Sequence, residues 1–95
     1  QELERFHVRL AFVGTDGFSM EGGLTTHLVE GAEIVRKMAE RCETTILVAD
    51  SSKFGKIGFV HVLPVRQVGT LITDGELPPS AHAELHEAGV SVVQA

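Results

Sequence analysis

Apolar residues along this chain fall into two rhythms, short unbroken runs and a helical stripe, and their alternation predicts the elements. The runs are His7–Val13, Thr45–Ala49, Thr70–Thr73 and Val90–Val93. They are short and largely β-branched or aliphatic, as buried strands are. Leu28, Ala32, Val35, Ala39 and Cys42 recur at helical spacing, with Ile34 and Met38 widening the stripe, and predict a helix over 28–41 with one buried face. Glu30, Glu33, Arg36, Lys37, Glu40 and Arg41 form its solvated side. A second helix is predicted from Pro78 to Glu87, opened by Pro78-Pro79-Ser80, turning Ala81, Leu85 and Ala88 inward and closed by Gly89. Strands alternating with helices predict an α/β fold with a parallel sheet covered on both faces and right-handed crossovers.

Two segments are less regular. Gly14–Thr26 has glycine at 14, 17, 22 and 23, which predicts a long loop, with Thr25 and Thr26 available to cap the helix that follows. Ile57–Val62 fits either a short strand or an irregular crossing, and Pro64–Val68 fits a helical turn opened by proline.

The polar residues cluster where the strands end. Gly14-Thr15-Asp16, Asp50-Ser51-Ser52-Lys53 and Thr73-Asp74-Gly75 each follow an apolar run directly. The carboxyl ends of parallel strands share one edge, which is where open α/β sheets bind ligands. Asp50–Gly55 alone reads equally well as a solvated turn. Its repetition at three strand ends favours a site.

Composition narrows the classes. At 95 residues the chain is one domain at most, and 43% hydrophobic content marks it as globular. A net charge of −5, with 8 Lys and Arg against 13 Asp and Glu, excludes a direct grip on a nucleic-acid backbone. Cys42 is the single cysteine and reads as a small buried hydrophobe in the helical stripe, so a disulfide framework and a thiolate zinc site are both excluded within one chain. His82 and His86 stand four apart without a third ligand, and no metal is expected. No apolar run approaches the length of a membrane span, and the expected location is cytoplasmic, without a membrane partner.

Four segments in this order and spacing resemble the C-terminal effector-binding domain of DeoR-family bacterial transcriptional repressors. They are Ala11-Phe12-Val13-Gly14-Thr15-Asp16-Gly17, Gly23-Leu24-Thr25-Thr26, Ala49-Asp50-Ser51-Ser52-Lys53-Phe54-Gly55 and Thr70-Leu71-Ile72-Thr73-Asp74. The resemblance extends over essentially all 95 residues. It implies Rossmann-like parallel-sheet layers similar to the ribose-5-phosphate isomerase and CoA-transferase group. It also implies a sensing role, in which a phosphorylated sugar or related metabolite releases the repressor from its operator. Residues 1–95 then form a single, partial effector-binding domain, its second half, with the DNA-binding winged helix-turn-helix and the first phosphate loop outside this sequence. Uncovered apolar edges would be closed by a partner copy, so a homo-oligomer is expected.

Carried over residue by residue, the resemblance implies that Lys53 contacts the phosphate and that Asp16, Thr15 and Gly17, with Thr25 and Asp50, address sugar hydroxyls. For Asp50 a second role, accepting backbone N–H bonds to shape its loop, stays equally open. Asp16 matches a catalytic carboxylate of the related isomerases, where DeoR sensors often carry Asn. Ser19 stands where a second acid is common, and Met20–Gly23 supplies no lysine, so the acid–base set for isomerisation is incomplete. Val35 replaces a lysine usual in the family. Binding without turnover is expected, with no catalytic residue and no cofactor. The alternatives are a sugar-phosphate isomerase-like enzyme or an oligomerisation module with vestigial ligand residues.

Overall fold

A computed structural model describes residues 8–95, so His7, the expected head of the first strand, lies outside the described residues. In chain order the elements are β1 (Val8–Val13), β2 (Gly17–Ser19), β3 (Gly23–Thr26), α1 (Val29–Arg41), β4 (Cys42–Val48), β5 (Val60–Leu63), β6 (Thr70–Thr73), α2 (Pro79–Glu87) and β7 (Ser91–Gln94). Short 3-10 turns occupy Ser51–Lys53 and Val65–Gln67. β1, β4, β6 and β7 form a parallel sheet in that order, with Val13 beside Leu47, Leu47 beside Leu71 and Leu71 beside Val92. The expected parallel sheet is therefore present. A second, antiparallel sheet of order β2-β3-β5 accompanies it.

That second sheet corrects the long loop expected over Gly14–Thr26. Gly17–Ser19 and Gly23–Thr26 pair as a hairpin, and the Ser19 hydroxyl accepts the Gly22 N–H at 2.9 Å to hold the turn. Its glycines serve the hairpin itself. Gly23 sits at φ +68°, and a Cβ there would stand 2.2 Å from the Leu63 carbonyl oxygen of β5. A Cβ on Gly17 would meet the Lys56 carbonyl oxygen at 2.3 Å. Backbone passes too close at both positions for any side chain. Thr25 is buried in β3 rather than capping α1, whose N-cap Leu28 has no side-chain cap bond.

The core joins the two sheets and both helices through Val13, Phe18, Leu24, Ala32, Leu47, Leu71, Ala81 and Leu85. In α1 only Ala32 is fully buried, with Val35 and Ala39 packed against the core; Leu28, Ile34 and Met38 turn outward. Cys42 belongs to β4 rather than to the helix, and it is half-buried with its Sγ 3.4 Å from Thr45 Oγ1. Pro79–Glu87 ends in paired bonds, Val90 N–H to the Leu85 carbonyl and Gly89 N–H to the His86 carbonyl, with Leu85 and Val90 both buried beneath them. The Arg36 guanidinium reaches from α1 to β5, donating to the Val62 carbonyl at 3.2 Å and to the His61 carbonyl.

Coverage of the parallel sheet is one-sided among the described residues. Side chains alternate along a strand, so Ala11, Val13, Thr45, Leu47, Leu71 and Thr73 enter the core while their neighbours turn away. On that second face Leu10, Phe12, Val48 and Val93 are 49%, 59%, 47% and 48% exposed. The expected two-sided cover is corrected accordingly: both helices and the hairpin sheet pack into one core, against one face.

Candidate functional site

β1, β4 and β6 are adjacent and parallel, so their carboxyl ends open on one edge. A cleft of about 400 Å³ lies there, lined by Gly14 and Thr15 after β1, Ala49, Asp50 and Lys53 after β4, and Thr73 and Asp74 at the end of β6. Of the residues singled out by sequence, Thr15, Asp50 and Lys53 line this cleft. Asp16, Gly17 and Thr25 do not.

Lys53 is placed by its neighbours on both sides. Asp50 caps the 3-10 turn, its Oδ1 accepting the Ser52 N–H at 3.1 Å and the Ser52 hydroxyl, while the Lys53 N–H donates to the Asp50 carbonyl. Asp50 thus shapes the loop and also lines the cleft. Beyond the turn, Phe54 packs edge-on against buried Phe18 at 5.3 Å between centroids, and the Gly55 N–H donates to the Phe18 carbonyl at 2.7 Å. These contacts tie the loop to the hairpin. The Lys53 stem is half-buried, and among the described residues its ammonium takes no hydrogen bond or ion pair.

The end of β1 is committed differently. The Thr15 hydroxyl lies 2.7 Å from the Gly17 carbonyl oxygen and 2.8 Å from that of Thr25. Asp16 Oδ2 accepts from the Thr26 hydroxyl at 2.8 Å and from the His27 N–H at 3.0 Å. The Thr26 hydroxyl and the His27 N–H hold its carboxyl below the usual carboxylate range, with smaller help from the charges of His27 and Lys53. Thr25 Oγ1 accepts the Gly58 N–H at 2.8 Å and thereby anchors the crossing before β5. These groups latch the hairpin onto the parallel sheet.

Thr73 and Asp74, picked out with Gly75 as the third polar strand end but given no ligand role, also line the cleft. Asp74 accepts the Ser51 N–H at 3.3 Å and the Glu76 N–H at 3.1 Å, joining the β4 and β6 loops. The Ser51 hydroxyl and then the Glu76 N–H keep its carboxyl below the usual range. Its position after an apolar run was the signal available in sequence.

A second hollow of about 380 Å³ lies between α1 and β5, lined by Arg36, Glu40, His61 and Gln67. Its guanidinium is already spent on β5 carbonyls. Among the described residues no three His, Cys, Asp or Glu side chains are grouped to hold a metal, and no helix is long and apolar enough to cross a membrane.

The geometry can be set beside known proteins. Residues 1–75 match the family model described as the DeoR C terminal sensor domain. The HTH-type transcriptional regulator GlpR of Haloferax volcanii is 37% identical over 91 residues, covering 96% of this chain and 36% of that protein. The putative aga operon transcriptional repressor of Escherichia coli O157:H7 is 32% identical over 93 residues, covering 98% and 35%. An uncharacterized HTH-type transcriptional regulator of Bacillus subtilis, YulB, is 36% identical over 92 residues, covering 97% and 36%. The chain spans about a third of the length of these relatives. A match over residues 1–75, joined by relatives that align with nearly the whole chain, means that it belongs to the DeoR C-terminal sensor domain family.

Proposed function

We propose that this chain is the effector-sensing part of a transcriptional repressor and that its strand-end cleft takes a phosphorylated sugar or related metabolite. One observation carries the reading: Lys53 lines the cleft with a cation that makes no hydrogen bond or ion pair among the described residues, while the Asp50 and Asp74 carboxylates beside it are committed to loop N–H groups. A free ammonium on a flexible stem suits a phosphate, which accepts several charge-assisted bonds. DNA is then contacted through a separate helix-turn-helix domain, in keeping with the relatives being named HTH-type regulators and with the acidic charge of this segment.

Asp16 weighs against proton transfer. A general base works best with a pKa near the operating pH, whereas this carboxyl is held low with one oxygen accepting from both Thr26 and His27. Sensing without turnover follows. The test is thermal shift and titration of the complete regulator with glycerol 3-phosphate, ribose 5-phosphate and fructose 6-phosphate. A cognate ligand at a hundred times its Kd adds about 2.7 kcal/mol of stability. Lys53→Ala weakens it roughly 10- to 100-fold, the loss of a charged hydrogen bond of about 1.5–3 kcal/mol. Equal affinity in Lys53→Ala would remove the site assignment.

In the same reading the open face of the parallel sheet, with Leu10, Phe12, Val48 and Val93 exposed, is covered in the whole protein by a second copy. Sedimentation equilibrium of the complete regulator is expected to give a dimer or larger assembly. A monomer at micromolar concentration would discard this part.

A further inference from the structure

Gly14 follows β1 directly and lines the cleft, and unlike Gly17 and Gly23 it meets nothing within the described residues that excludes a side chain. Its φ is not positive, and a Cβ built on it has no heavy atom within 4 Å. Alanine would therefore fit the unliganded fold, and by narrowing the unfolded ensemble it would stabilise the chain. The space its methyl would take belongs to the cleft. Val13 enters the core and pairs with Leu47, and side chains alternate, so position 14 faces the same side of the sheet as Val48, which pairs with Ile72. Gly14, Val48 and Ile72 all line the cleft and form an aliphatic shelf across three strand ends.

We propose that Gly14 is a specificity position for the effector: with no side chain there, the carbon skeleton of a sugar phosphate lies directly against the backbone at the end of β1 and over the shelf of Val48 and Ile72. The inference rests on the sensing role argued above. Glycine is the residue that permits such close approach of backbone to a ligand. A sugar presents C–H faces as well as hydroxyls, and a C–H face suits an aliphatic shelf. Charge fixes which end goes where. Lys53 is the only cation among the described residues lining the cleft, against the carboxylates of Asp50 and Asp74, so the cleft takes one phosphate at Lys53 and a neutral remainder over Gly14.

The test uses the complete regulator with the same three sugar phosphates and with inorganic phosphate as a separate probe. Gly14→Ala is expected to weaken the cognate sugar phosphate about tenfold, the scale of one methyl forced into a filled contact, and Gly14→Val to weaken it further. Inorganic phosphate, which has no carbon skeleton, binds both variants as it binds the parent, whereas Lys53→Ala weakens both probes. Gly75→Ala is the control, since Gly75 also has no positive φ and no atom within 4 Å of an added Cβ but does not line the cleft; it leaves both affinities unchanged. Unliganded Gly14→Ala melts at or above the parent. Sugar-phosphate binding that depends on Lys53 but is unaltered in Gly14→Ala and Gly14→Val overturns this inference alone. So does an unliganded Gly14→Ala protein that melts below the parent, or one that loses inorganic phosphate as strongly as the sugar phosphate, because the glycine then serves the fold. If no sugar phosphate binds the parent, the sensing reading fails first and this inference falls with it.

Discussion

The end of β1 and the ends of β4 and β6 stand side by side on one edge of one sheet, yet they use similar residues for opposite purposes. After β1, Thr15 and Asp16 direct their polar atoms to backbone and side-chain groups of the hairpin, and Thr25 and Gly17 complete the latch. After β4 and β6 the carboxylates do similar work, since Asp50 caps the turn and Asp74 bridges two loops, but among the described residues the Lys53 ammonium is left without a hydrogen bond. A polar residue at a strand end is therefore not yet a ligand contact. What distinguishes the two regions is which polar atoms the fold has already consumed.

The sharpest way to break this contrast is at the latch. Gly23→Ala combines a disfavoured φ with a collision at 2.2 Å, and is expected to cost about 2–5 kcal/mol. On a domain of this size that lowers Tm by about ten degrees or more. A melting temperature within a degree or two of the parent would mean that the hairpin is not locked as described. Next in size is the Lys53→Ala loss of affinity, expected without any comparable loss of stability.

The smallest expected effect is acid sensitivity. Asp16 and Asp74 bind their protons less tightly in the fold than in the unfolded chain. Their stabilising contribution is complete above about pH 4 and is lost as the pH falls through that value towards their lowered folded pKa. Asp16→Asn and Asp74→Asn should each flatten the acid limb of the stability curve by a modest amount, since both carboxyls are open to solvent. Acid unfolding that is identical in both variants and the parent would show that neither carboxyl latches anything.

Much of the framework was legible in the chain. The four parallel strands announce themselves as apolar runs, and both helices by their stripe or by proline and glycine at their ends. The hairpin was hidden because glycines 17 and 23 signal a loop by composition, while their role here is close passage of backbone against Lys56 and Leu63, residues 39 and 40 positions onward. One-sided coverage was hidden because a strand such as Leu10-Ala11-Phe12-Val13 is apolar at every position and gives no parity signal. For the site, the strand-end rule brings Thr15, Asp50 and Lys53 to the cleft. It has no means of telling that Thr25 Oγ1 serves Gly58, since that depends on a pairing distant in sequence.

The grip of Arg36 on β5 has a consequence for how this chain meets its own kind. β5 pairs only with β3 among the described strands, which would leave a row of backbone acceptors able to template another strand. The guanidinium occupies the carbonyls of Val62 and His61 and sets a positive charge beside them. Addition of another strand there would have to displace a charged donor first.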